Sequence, residues 1–547
     1  MREALGPRPV PPVRLDQLLG RGAPDRPAVT FRSETLSYAE LSDRVARVAA
    51  GLHALGVRRG DRVVVHAEKR IETVVALLAI AAAGAVLVPV NPLFRTLQLA
   101  HVVQDCAPRV VITTTERWEA VRQALAPDSS VEHAVLIGAT APGARARDGR
   151  RDGGRVVPRT WAELVAAEPL PVPDGSAVID QDVAAIMYTS GSTGGPKGVV
   201  LSHRNLLAGA ASVAGYLGHG PDDVVLAVLP LSFDAGFSQL TTALIAGAHV
   251  VLANYLLAKE IVRLCARHRV TALTCVPPLW LQLAAQDWPE EATAHLRYFA
   301  NTGGRMPRAT LARLRQLFPK AEPYLMYGLT EAFRSSYLDP AEADRRPDSI
   351  GKAVPNAELL VVRPDGTPCG PGEHGELVHR GALVALGYWR DPERTAERFR
   401  PVPGASGATP PEPAVWSGDT VYRDQDGFLY FVGRHDDMIK TSGYRVSPTE
   451  IEEAAYATGL VGEAVAVGVT DEVLGQRVEL VVTLLAPDPS TVPLARALAE
   501  QLPAYMLPAR VEVLARLPRS VNGKFDRVEL RRALERRGGQ EHGSLPD

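Results

Sequence analysis

Residues 188–203 read YTSGSTGGPKGVVLSH. The first eleven of them hold two Ser, two Thr, four Gly and a single cation, Lys197. Glycines let successive backbone N–H groups turn inward, and small hydroxyls add donors without bulk. Such a loop cradles phosphates, and Lys197 adds positive charge. A flexible linker has a similar composition, but here strand-like apolar runs bracket the loop on both sides. Two other glycine-rich chemistries are excluded. Pro196 precedes Lys197 and Gly198 follows it, which breaks the P-loop pattern. The order Gly191-Ser192-Thr193-Gly194 is not that of a serine-hydrolase elbow.

Three more stretches carry reactive side chains: YGLTEA (327–332), SGDTVYRDQDGFLYFVGRHDDMIKTSGYRVSPTEIE (417–452) and PRSVNGKFDR (518–527). Taken singly they are ordinary. Thr330-Glu331 starts a helix, Asp426-Gly427 and Asn522-Gly523 are turns, and Lys524 is an exposed lysine. Taken together and in this order, with the 188–203 loop, they resemble the adenylate-forming superfamily. That superfamily comprises acyl-CoA synthetases, peptide-synthetase adenylation domains and luciferases. The resemblance covers nearly the whole chain.

The resemblance implies a role for each position. Thr189, Ser190, Gly191, Ser192, Thr193, Gly194 and Lys197 would bind ATP phosphates, with Gly303, Gly304 and Gly328 completing the nucleotide site. Tyr327 would lie against adenine, Thr330 on the α-phosphate and Glu331 on Mg²⁺, which prefers a carboxylate oxygen beside phosphate oxygens. Asp419 would hold the ribose hydroxyls with Arg434, Asp436 would be a hinge, Gly443 would line a thiol tunnel, and Lys524 would be the catalytic lysine. His203 closes the opening stretch and reads as structural. The implied reaction has two halves. A carboxylate attacks the α-phosphorus of ATP and pyrophosphate leaves; a thiol then attacks the acyl-adenylate and AMP leaves. A carboxylate needs no general base, and no His/Asp dyad stands out.

The acid is less legible. PLSFDAGFSQL (230–240) has Phe233-Asp234 where many fatty and aryl acyl-CoA synthetases carry histidine. Adenylation domains for amino acids commonly show Phe-Asp there, with the Asp on the substrate ammonium; the plain alternative is a helix cap. Further pocket positions implied by resemblance are Ala235, Ser238, Cys275, Ala300, Thr302, Met326, Arg334 and Ser335. Most are small or medium, which suggests a compact amino acid. Arg334 would meet a second carboxylate or pair within the wall. YGLTE departs from the YGPTE usual in peptide synthetases, and no carrier domain follows the chain's end at GGQEHGSLPD. The expected acceptor is therefore a separate carrier-protein phosphopantetheine or CoA.

The elements that position these residues are an α/β arrangement. Buried-looking strands at 62–67, 85–90, 109–115, 223–230 and 249–254 alternate with helices such as 70–82 and 93–104, which predicts parallel-rich sheets with flanking helices. Residues 139–154 and 401–414 read as surface loops, and 357–432 as a small β-rich subdomain. Ser447, Pro448 and Glu450 mark a helix start as N-cap, first helical residue and third. The expected division is a large N-terminal adenylation domain, 1–435, and a small mobile α+β domain, 436–547, carrying Lys524.

The chain has 547 residues, ample for two domains, and its net charge of −2 points to neither nucleic acid nor an anionic membrane. Its four cysteines show no metal or redox spacing, and the N-terminus has no signal-peptide core, so a cytoplasmic enzyme is expected. The leading expectation is an ATP- and Mg²⁺-dependent ligase loading an amino acid on a carrier protein. A CoA ligase for a non-amino acid is the alternative. A regulatory nucleotide-binding protein would have lost chemical residues, yet Lys197, Glu331, Asp419, Arg434 and Lys524 are all present.

Overall fold

The structure is a computed structural model that describes residues 11–138, 156–168, 178–189, 196–404, 411–434, 437–441, 444–471, 474–486, 490–502, 504–520 and 523–541. The fold is mixed α/β. It divides into two compact units: one runs to Asn254 and includes Ala382–Thr395, and the other comprises Tyr255–Gly381 and the chain from Ala396 onward. Asp436, where the sequence places the hinge, lies outside the described residues, as does all of 139–154.

The first unit holds an eight-stranded sheet ordered Gly387–Tyr388, Lys197–Ser202, Val183–Thr189, Val86–Pro89, Arg62–His66, Val110–Thr114, His133–Ile137, Val157–Thr160. From Val183–Thr189 to Val157–Thr160 the pairing is parallel. Parallel strands are covered on both faces and so read as continuous apolar runs. Val110–Thr114 is buried along its whole length. The long apolar run from Val74 to Val90 forms helix Ile71–Ala82 and strand Val86–Pro89, with Gly84 turning between them at φ +71°. Elsewhere in this unit Val224–Ala227, His249–Leu252 and Pro27–Phe31 pair in parallel, with Glu34–Ser37 antiparallel beside the last. Among the described residues no helix is long and apolar enough to cross a membrane.

In the second unit, three parallel strands, Ala272–Cys275, Tyr298–Asn301 and Glu322–Tyr327, end on the same side. In α/β sheets those C-terminal ends are where ligands bind. The sheet continues antiparallel through Ser336–Leu338, Ser349–Ala353, Leu429–Arg434, Pro413–Arg423, Gly375–Gly381 and Ala357–Val362. This is the β-rich stretch legible at 357–432.

The C-terminal portion builds its own sheet from Tyr444–Val446, Ile439–Thr441, Gly475–Leu484 and Val461–Asp471, with Arg510–Val513 parallel to Gly475–Leu484. Strand residues alternate between two cores, as a period of two requires. Ala464 and Ala466 join Ile451, Leu480 and Leu498, while Val465 and Val467 join Leu517 and Leu530. The helix expected near 448 is Pro448–Ala457, with Ser447 at the N-cap position. Its side chain makes no cap, however: the Ser447 hydroxyl donates to the Val432 carbonyl instead. A tertiary acceptor has outcompeted the local one, and Pro448 at the first helical position has no N–H to satisfy.

Candidate functional site

The phosphate-loop candidate is a hairpin. Val183–Thr189 and Lys197–Ser202 pair antiparallel, and Thr189 lies directly opposite Lys197. The loop between them is thus tethered at both ends, unlike a linker. Ser190, Gly191, Ser192, Thr193 and Gly194 lie outside the described residues. Thr189 Oγ1 is buried and makes no hydrogen bond among the described residues. Lys197 Nζ donates to the Tyr388 hydroxyl at 2.7 Å and stands 4.3 Å from that ring's centroid. Nothing in LGYWRD marks Tyr388 as a partner; only the strand pairing Tyr388↔Val199 brings it there. His203 accepts the Leu15 N–H on Nδ1 at 3.4 Å, and burial pushes its pKa down to about 4. It is a neutral core histidine, as its sequence context suggests.

Asp234, Ala235 and Ser238 share the first turns of helix Asp234–Ile245. The N-cap residue is Phe233, which forms no side-chain cap. Asp234 is the first helical residue and half-buried, in the turn where the helix dipole favours an anion. Its Oδ1 accepts the Ala235 N–H at 2.7 Å. Gly236 fixes the helix start, since a Cβ there would stand 2.0 Å from the Pro230 carbonyl oxygen. Ser238 is buried, its hydroxyl 3.4 Å from that of Thr242.

In the second unit, Tyr327, Asp419 and Arg434 are one cluster. Antiparallel register sets Asp419 opposite Arg434. The Tyr327 hydroxyl donates to Asp419 Oδ2, and Arg434 Nε lies 3.2 Å from Oδ1. No hydrogen bond of good geometry reaches Oδ1 from the described residues, which leaves its lone pairs for a hydroxyl ligand. Burial raises the Asp419 pKa above the usual carboxylate value, while Arg434, the Tyr327 hydroxyl and Arg398 pull it back. Burial, then the Asp419 charge, pushes the Tyr327 phenol well up, so it stays a donor. Arg398 is a fourth member, one the sequence does not reveal. Its Nη1 lies 2.9 Å from where a Cβ on Gly418 would stand, and RTAERFR reads as a solvated face. Glu331, in the single turn Thr330–Ala332, is buried and close enough that its charge acts on both Asp419 and Arg434.

Lys524 follows a tight turn in which the Gly523 N–H donates to the Ser520 carbonyl at 2.9 Å. It reaches the loop after strand Tyr298–Asn301. A Cβ on Gly303 would stand 2.9 Å from Lys524 Cε and would push the flexible lysine end aside, and the φ of +76° itself favours glycine there. Gly304 packs against Pro277, 3.1 Å from its Cγ by the same test.

Of the remaining pocket candidates, Thr302 and Ser335 adjoin Arg334. Arg334 is 2% exposed and its Nη1 donates to Thr302 Oγ1 at 2.5 Å. Thr302 N–H donates to the Cys275 carbonyl at 3.1 Å, and Ser335 N–H to the Tyr327 carbonyl at 3.0 Å. Ser335 Oγ lies 2.9 Å from Nδ1 of His379, a buried imidazole whose pKa burial lowers to about 3. Burial pushes the Cys275 thiol well above its ordinary value, which disfavours the thiolate a nucleophile needs. Ala300 presents its carbonyl to the Trp280 indole N–H at 3.0 Å, and Met326 is buried on the next strand. The peptide at Phe333 (φ 55°, ψ −60°) is a γ-turn of the strained, positive-φ kind, with the Arg334 N–H donating to the Ala332 carbonyl at 2.6 Å. Asp436 and Gly443 lie outside the described residues.

The profile of AMP-binding enzymes matches residues 19–389, and that of the AMP-binding enzyme C-terminal domain matches 450–524. The chain belongs to the AMP-binding enzyme family. It is an AMP-forming ligase that uses ATP to activate an acid. It is 35% identical to L-proline--[L-prolyl-carrier protein] ligase of Streptomyces coelicolor, over 90% of this chain and 91% of that protein. It is 30% identical to the long-chain-fatty-acid–CoA ligase of Salmonella typhimurium, over 93% and 91%. It also matches a linear gramicidin synthase of Brevibacillus parabrevis at 31% identity over 93% of this chain, spanning only 6% of that protein. Its fold superposes on ATP-bound MatB from Rhodopseudomonas palustris with a TM-score of 0.81 and 27% identity, covering 95% of this chain and 98% of that one. The ligase's Glu331 is chemically suited to Mg²⁺, which takes one or two carboxylates plus phosphate oxygens. Among the described residues no group of three or more His, Cys, Asp or Glu side chains forms a protein-only metal cage.

Proposed function

We propose that the ligase activates a small amino acid and passes it to the phosphopantetheine thiol of a carrier protein. The observation that carries the amino-acid reading is Asp234. It stands half-buried at the head of its helix without acting as the N-cap, and its Oδ2 accepts no hydrogen bond from the described residues. An ammonium leaving water needs a counter-charge, and this carboxylate is placed to supply one. The kinship with the prolyl-carrier ligase supports the same class of acid and acceptor.

In this reading Asp419 holds the ribose through Oδ1, Tyr327 flanks the base and Thr330 meets the α-phosphate. Thr189, Lys197 and the glycine loop bind the polyphosphate. Glu331 holds Mg²⁺, which when bound offsets phosphate charge. Lys524, over Gly303, stabilises the transition state as the substrate carboxylate oxygen bonds to the α-phosphorus and the bond to pyrophosphate breaks. In the second half a thiolate attacks the acyl carbon and AMP leaves. Residues 436–547 turn about Asp436 between the halves, taking Lys524 away and bringing Gly443 to the thiol path.

The test is kcat/KM for an amino acid and its des-amino analogue on wild type and Asp234→Ala. Loss of one partner of a buried charge pair costs about 2–5 kcal/mol, so the amino acid should lose roughly 30-fold or more and the analogue little. Equal losses on both would promote the second reading, a CoA ligase for a non-amino acid, which the 30% identity to a fatty-acid ligase favours.

A further inference from the structure

Resting on the amino-acid reading for its exact form, we propose that Arg334 is a specificity-determining residue that receives a second carboxylate of the substrate, making the substrate an α-amino dicarboxylate. A guanidinium stays charged in proteins, and burying that charge without a partner is costly. Here Arg334 is 2% exposed, its only hydrogen-bond partner among the described residues is the neutral Thr302 hydroxyl, and no carboxylate among them pairs with it. Its Nε is buried and makes no hydrogen bond there. The neighbouring titratable group, His379 on the Ser335 hydroxyl, is neutral and contributes no anion.

A second, independent feature shows that the placement is imposed rather than tolerated. Phe333 is fully buried with φ at 55°, a conformation that costs a bulky residue energy and persists where the surroundings over-determine it. The resulting γ-turn redirects the chain between Glu331 and Ser335 and lays the Arg334 stem across Gly328, where a Cβ would stand 3.1 Å from Arg334 Cα. Strain and desolvation are thus both spent on one side chain. The guanidinium fork is matched by a carboxylate, which accepts two parallel N–H bonds. Thr302, its partner, is tied to Cys275, so the cation stands among the small residues assigned to the acid pocket.

The test is pyrophosphate release by wild type with isosteric pairs differing only in the remote charge: aspartate against asparagine, glutamate against glutamine, succinate against succinamate. The anionic member should lead by roughly 30-fold or more in kcat/KM. Arg334→Met should abolish that preference, and Arg334→Lys should restore part of it. No preference, or no turnover of the anionic members, in wild type overturns the proposal, and that comparison needs no variant to fold. Equal losses on charged and neutral members in Arg334→Met also overturn it, because they would place Arg334 on the nucleotide or the reacting carboxylate. The amino-acid reading is judged separately, on aspartate against succinate. If succinate reacts as well, that reading fails while the charge comparison still stands.

Discussion

Two corners of the second unit each bury a full charge and treat it oppositely. At Asp419 the protein supplies its own company: the Tyr327 hydroxyl, Arg434 at 3.2 Å and the Arg398 charge. At Arg334 it supplies a hydroxyl and nothing anionic among the described residues. The first corner is electrostatically complete without ligand, so it serves to position; it needs only offer Oδ1 to a polar group. The second is incomplete, so its charge is balanced when something binds. A buried pair is a weak source of stability, whereas a buried lone charge is a cost that function must explain.

Lys524, another cation of this unit, gives the comparison its sharpest contrast, since it is exposed. Lys524→Ala should lower acyl-adenylate formation by roughly 10²- to 10³-fold, as loss of one preorganised transition-state donor does. Thioester formation from pre-formed adenylate should be largely retained, and the unfolding temperature unchanged. Pyrophosphate release and thioester assays measured separately decide it. Equal loss in both halves would mean that the lysine over Gly303 positions the domain rather than the charge.

How much of this is legible from sequence follows the reach of each signal. Strand runs such as RVVVH and VVITT announce themselves because burial on both faces favours an unbroken β-branched centre, residues 63–65 and 110–112, and both strands fall where read. The 188–203 loop is legible as something other than a linker because its ends are strands, seen paired Thr189 to Lys197. What stays hidden are partners set by tertiary register alone: Tyr388 on Lys197, Arg398 beside Gly418 and His379 on Ser335. Nor does EAFRS betray the γ-turn at Phe333, because nothing local demands positive φ of a phenylalanine. Ser447 shows the reverse error: the cap residue is right, but its hydroxyl is used elsewhere.

His379 offers a titration of the uncompensated corner. Burial lowers its pKa to about 3, far below the ordinary value of about 6.5. Between those limits the unfolded chain binds a proton that the folded chain refuses. Its contribution to stability is therefore intact above about pH 6.5 and is lost as pH falls toward about 3, at about 1.4 kcal/mol per unit. His66 and His203, each pushed to about 4, act in the same direction. Unfolding free energy of wild type and His379→Gln from pH 7 to 4 should show the variant's slope shallower by one proton. Parallel slopes would mean that the folded chain protonates His379, setting an imidazolium on the Ser335 hydroxyl, next in sequence to Arg334.

The smallest effect tests the comparison itself. Asp419→Ala removes the acceptor of a buried Tyr327 hydroxyl, and a buried polar group left unsatisfied costs about 1–3 kcal/mol. Ligand-free stability should drop by that amount, and the KM for ATP should rise. Arg334→Met removes a buried cation that nothing among the described residues neutralises and replaces it with an apolar chain of similar length. The lost bond to Thr302 is worth about 1.5–3 kcal/mol at most, as a hydrogen bond to a charged group. The desolvation cost relieved is of several kcal/mol. The two nearly cancel or favour the variant, so ligand-free stability should be unchanged or slightly higher. Urea unfolding of both variants without ATP or acid reads the signs directly. A large destabilisation by Arg334→Met would show that the guanidinium is already balanced in the free protein, and the two corners would then differ in degree rather than in kind.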